Sequence, residues 1–128
     1  MSDITVDLTS PTPVYEQIRS QVAGLVAVGT LSPGDRLPAS RALARDLGIA
    51  VGTVQRAYRE LEASGVVTSR RRTGTVVAAA AGRGDVDGRA PGRAGTVEDA
   101  RRLVARAREA GLSDEAILDV VRGVLREP

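Results

Sequence analysis

A chain of 128 residues with a formal net charge of +2 has room for one domain, or a small domain with an appendage, and excludes a large multidomain enzyme. Cys and His are both absent. That removes disulfides, thiolate nucleophiles, most zinc sites and the usual near-neutral general base, so no metal, no cofactor and no catalysis are expected.

All 18 basic residues are Arg, each permanently charged and carrying a planar fork suited to phosphate or guanine edges. Lys, Asn, Phe and Trp are missing altogether, so compositional bias is the competing explanation and position must decide between them. Residues 1–80 hold nine Arg against seven acids, residues 81–95 three against two, and residues 96–128 six against seven. A polyanion partner is therefore expected at the front half. The opening MSDITVDLTS has no signal-peptide core, and no run approaches the roughly 20 apolar residues of a membrane span. A cytoplasmic protein without a membrane partner is expected.

Along the chain, Tyr15, Ile18, Val22 and Leu25 recur at helical spacing with Val26 alongside, predicting a first helix capped by Thr12, opened by Pro13 and ended by Gly29. Pro33-Gly34 marks a turn. SRALARDLG predicts a short second helix with Leu43 and Leu47 inward and Gly48 as its left-handed terminator. VGTVQRAYRELEASG predicts a third, with Val54, Ala57, Tyr58 and Leu61 on one stripe and Gly65 closing it. Two helices joined by a tight glycine turn make a helix-turn-helix. VVTS and TVVA then predict a β-hairpin around RRRTG, where Arg70, Arg71 and Arg72 cannot all point the same way.

The predicted class is mainly α: a winged helix-turn-helix over 11–78 with a small hairpin wing. Residues 79–95, rich in Gly, Ala and Pro without apolar period, are expected as a flexible linker. Over 96–128 a helical hairpin is predicted, one helix capped by Thr96 and the next by Ser113 after a break at Gly111. Its stripes, Val97, Leu103, Val104 and Ala107, then Ile117, Leu118, Val121, Val124 and Leu125, cannot bury themselves alone. A second copy of the pair is the expected cover, giving a two-fold homodimer.

These residues resemble the DNA-binding domain of GntR-type bacterial transcription regulators. The resemblance covers about residues 11–78 and rests on Tyr15-Glu16-Gln17-Ile18, Pro33-Gly34-Asp35-Arg36-Leu37-Pro38, Arg41 with Leu43-Ala44, Thr53-Val54 with Ala57-Tyr58, and Gly74-Thr75 with Val77. The short tail resembles the YtrA-like group, whose two C-terminal helices mainly serve dimerisation. The resemblance implies a double-stranded DNA operator as partner, and a homodimeric repressor on an inverted repeat.

Where relatives carry a serine after Leu-Pro, a cap before Thr-Val and a glycine two residues before Gly74, this chain has Ala39, Ala50 and Arg72. Ser40 is a substitute cap for the second helix, and Gly52 or Thr53 could shift the start of the third. Position 51, often a base-reading arginine in the family, is Val51, so that contact does not carry over.

Candidate DNA contacts are Arg41 from the second helix, Gly52 for close backbone approach, Thr53 for phosphate and Gln55 for adenine N6/N7. Arg56 and Arg59 have two readings, DNA contact or pairing with Glu60 or Glu62. Arg70, Arg71, Arg72, Thr73 and Gly74 form the wing tip. Tyr58 is expected in the core, and Arg36 as a DNA contact or a local brace. No cluster marks a small-molecule effector site. The alternative function is a winged helix docking protein or RNA without operator specificity.

Overall fold

The computed structural model describes residues 4–79 and 90–128, with side chains described from residue 94 in the second stretch. The chain divides into two units, Met1–Gly84 and Asp85–Pro128, each taken by itself.

In the first unit, Ile18, Val22 and Val26 recur every four residues and are all buried along α1 (Val14–Ala27). The following α2 (Ser40–Leu47) buries Leu43 and Ala44, and α3 (Val51–Ala63) buries Val54, Ala57, Tyr58 and Leu61. Both α1 and α2 pack on α3, so the third helix is the spine of the domain. Between α2 and α3, Gly48 sits at φ +70°, a conformation that costs a residue with a Cβ about 1–2 kcal/mol. This closes the helix-turn-helix as the sequence suggested.

None of the expected side-chain caps forms on these three helices. Thr12 lies ahead of Pro13, which itself takes the cap position, and its carbonyl accepts from Gln17 Nε2 at 2.9 Å. Ser40 is the first residue of α2 and Ala39 its cap, so no cap one residue late is made. Helix α3 starts at Val51 behind Ala50, without a shift to Gly52 or Thr53. Tertiary packing of the apolar stripes holds these helix starts in place of capping.

The wing is the antiparallel pair β1 (Val67–Arg70) and β2 (Gly74–Val77), in register Val67↔Val77 to Arg70↔Gly74. Arg70 and Gly74 thus belong to the strands, and the turn proper is Arg71-Arg72-Thr73. Gly74, at φ +82°, turns the chain back into the ladder. The α1–α2 connection lines the free side of β2: Gly34 N–H donates to Val77 O at 2.9 Å, Val77 N–H to Asp35 O at 2.8 Å and Leu37 N–H to Thr75 O at 2.9 Å. A third extended segment therefore braces the wing against the helices.

The core also takes in residues before the expected domain start. Ile4 is buried and Val6 packs against the same cluster. Two glutamines of α1 hold this segment: Gln21 exchanges hydrogen bonds with the Thr5 backbone at 3.0 and 2.6 Å, and Gln17 with the Asp7 backbone at 2.8 and 3.0 Å.

In the second unit, α4 (Ala90–Glu109) and α5 (Asp114–Leu125) are separated by Gly111 at φ +86°. Ser113 caps α5, its Oγ accepting from Ala116 N–H at 3.1 Å. Of the stretch expected as linker, residues 80–89 lie outside the described residues and 90–95 form the first turns of α4. Thr96 therefore lies inside the helix, not at its cap. Pro91 falls in the first turn, where its missing N–H is not needed and its fixed φ suits a helix. Downstream, Glu98–Arg101 and Asp99–Arg102 pairs at 3.5 Å add support at i,i+3 spacing.

Candidate nucleic-acid interface

Burial of Val54, Ala57, Tyr58 and Leu61 fixes which way α3 turns, leaving Gly52, Gln55, Arg56 and Arg59 exposed and Thr53 half-buried. Val51 and Gln55 stand one turn apart on one line of that helix. Tyr58 belongs to the core: it is 7% exposed and its hydroxyl donates to Pro38 O at 2.8 Å, pinning α3 to the start of α2. Burial pushes its phenol up to about 12.

Of the two readings of Arg56, the pairing with Glu60 or Glu62 does not form. Its guanidinium lies 3.8 Å from the centroid of the Tyr15 ring, a cation–π stack from α3 to α1, with no bond to Glu60 or Glu62. The spacing of either helix alone carries no signal for this contact. Glu62 instead accepts from Ser69 N–H at 3.2 Å and Ser69 Oγ at 3.4 Å, tying the end of α3 to β1. Arg36 makes the local brace: its Nε donates to Thr73 O at 3.1 Å, holding the wing turn.

The charged groups divide by partner. Arg19 pairs with Glu16 at 2.6 Å, and that hydrogen bond lowers the Glu16 carboxyl below the ordinary carboxylate range. Asp35 accepts from Ser32 N–H at 2.8 Å within its turn. Arg41, at the start of α2, Arg59 on α3 and Arg70, Arg71 and Arg72 on the wing are exposed and have no ion pair among the described residues. In the tail, by contrast, Arg101, Arg102, Arg108 and Arg122 pair with Glu98, Asp99, Asp114 and Asp119. Uncommitted positive charge is thus concentrated on the helix-turn-helix and its wing.

The apolar stripe of the tail is partly open. Leu103 is 41% exposed, Leu118 50%, Val124 57% and Leu125 76%, and Val120, which the stripe omitted, is 46% exposed. Val97, Val104, Ala107 and Val121 are half-buried, and Ile117 is already buried within the chain. Among the described residues no helix is long and apolar enough to cross a membrane, and no cluster of acidic residues could hold a metal ion.

The family profile of bacterial regulatory proteins of the gntR family matches residues 14–77. The chain belongs to this family. Its matched gntR segment runs from the first residue of α1 to the last of β2. The chain is 47% identical over 74 residues to the HTH-type transcriptional regulator Rv1152 of Mycobacterium tuberculosis, covering 58% of this chain and 61% of the relative. It is 42% identical over 74 residues to the HTH-type transcriptional repressor YtrA of Bacillus subtilis, covering 58% and 57%. The matches thus span about three-fifths of the length of these curated relatives. A solved structure, YtrA from Sulfolobus acidocaldarius, a GntR-family transcription factor, superposes with TM-score 0.55 at 43% identity over 59% of this chain and 79% of that one. Within the gntR family the likeness is to YtrA-type members, and the two-stranded hairpin beside three helices is their winged helix.

Proposed function

We propose that this protein is a sequence-specific DNA-binding regulator of transcription, a homodimeric repressor that seats each α3 in a major groove and each wing on the adjacent minor groove or backbone. The observation that carries the reading is the pairing state of the arginines. Those on α2, α3 and the wing have no carboxylate partner among the described residues, whereas most of the tail's arginines do. Exposed guanidinium groups without partners are what phosphate oxygens need, and Gln55 beside them offers an amide that pairs with adenine N6/N7.

Arg41, Arg56 and Arg59 supply phosphate or base contacts in this reading, Gly52 and Thr53 let the helix start approach the backbone, and Arg70 to Gly74 carry the wing. The open stripe formed by Leu103, Leu118, Val124 and Leu125 supports a second copy of the tail as its cover, giving two-fold symmetry and an inverted-repeat operator. A cytoplasmic location goes with a DNA operator as partner in this reading. No cluster among the described residues marks an effector site.

A footprint on the intergenic DNA upstream of the protein's own gene tests the reading. Two protected half-sites related by inversion, about one helical turn apart, are expected. Uniform or absent protection at low salt would instead favour a winged helix docking protein or RNA.

A further inference from the structure

We infer that Val51 is a specificity-determining residue that reads the 5-methyl group of a thymine. This deepens the proposed DNA-binding function and rests on it.

Val51 opens α3 and is 36% exposed, while Val54 on the same helix is fully buried. A β-branched residue is a weak helix former. Its neighbour is equally unexplained by the fold. Gly52 lacks the left-handed backbone found at Gly48 or Gly65, and a Cβ built on it meets nothing within 4 Å. Neither conformation nor packing inside the chain asks for glycine there, though glycine weakens a helix. Both residues make sense if something outside the chain comes close to the head of α3.

The first residues of a recognition helix are those that reach base edges. The Val51 side chain has no donor or acceptor, so it cannot hydrogen-bond a guanine, adenine or cytosine edge or a phosphate. The one apolar group exposed on a base edge in the major groove is the thymine methyl. One turn on, Gln55 shares its line and is exposed, so the two residues address neighbouring base pairs, Val51 by shape and Gln55 by hydrogen bonds. The missing side chain at Gly52 brings the backbone near enough for a short valine to touch.

The test uses the full chain. Duplex sites are selected from a random library with the wild-type protein, Val51→Ala and Val51→Arg, and thymine is then replaced by deoxyuridine at the position indicated. We expect T·A at one fixed place in each half-site, loss of that preference alone in Val51→Ala and a change to G·C in Val51→Arg. Deoxyuridine should weaken wild-type binding about fourfold per half-site, the effect of one buried methyl, and leave Val51→Ala unchanged. An enriched motif that is the same for all three proteins, with deoxyuridine costing wild type and Val51→Ala equally, overturns the inference and leaves DNA recognition standing. A library from which the wild type enriches no motif removes DNA recognition and the inference together.

Discussion

The Arg56 guanidinium rests on the Tyr15 ring at 3.8 Å, so the face of α3 next to its exposed ridge is held to α1 by a charge on an aromatic surface. A stack at an exposed site contributes about 0.5–1 kcal/mol. Arg56→Ala should lower stability by about that amount in urea titration and weaken binding to every DNA sequence by a common factor. A change in base preference would make Arg56 a reader of sequence in its own right.

The wing turn is held by the Arg36 bond to Thr73 O and carries the exposed Arg72. Arg72→Gly should weaken binding and flatten its salt dependence by about 0.9 in log–log slope for each phosphate the wing no longer neutralises. An unchanged slope would make the three wing arginines a solvated turn. Arg36→Met keeps the apolar stem but removes the bond to Thr73 O. It should speed amide exchange across the turn without altering which sequence is preferred.

Tyr58 gives the protein an alkaline limit, in a chain with no Lys, His or Cys and one other phenol, Tyr15. Its phenol titrates near 12 in the folded protein because burial disfavours the phenolate, against an ordinary value of 10.0. A raised folded value for an acid that must stay neutral leaves stability unaffected below about pH 10. Stability should fall as pH rises from about 10 to 12, by up to roughly 1.4 kcal/mol per unit. Tyr58→Phe should remove most of that fall while losing about 1 kcal/mol at neutral pH, since the Pro38 carbonyl loses its donor.

Much of the front domain was legible because its signals are local. Four buried residues at 3–4 spacing set α3, and glycines with positive φ fall at Gly29, Gly48, Gly65 and Gly74, where helices end or a strand restarts. Contacts made between elements by single side chains carry no such period. Gln17 and Gln21 look like the polar face of a helix, yet they hold residues 5–12 in place and bring Ile4 into the core. Arg56 on Tyr15 and Glu62 on Ser69 were hidden for the same reason: each partner belongs to another element. The early start of α4 was obscured by a proline and glycines that usually end helices but fit a first turn.

The tail presents leucines that one chain leaves open, so charge placed there should separate copies without unfolding either unit. Leu118→Glu with Leu125→Glu should give a monomer by light scattering, with helical content retained and operator affinity sharply reduced. A persistent dimer would place the interface elsewhere.

The most direct measurement is the affinity of the intact protein for its upstream DNA as a function of salt. Arginines without carboxylate partners on α2, α3 and the wing have to act by displacing counterions. With about eight phosphate contacts per dimer, affinity should drop about ten-thousandfold between 50 and 200 mM salt. Binding that is indifferent to salt, or absent at the lowest salt, would contradict a DNA role for this arginine surface.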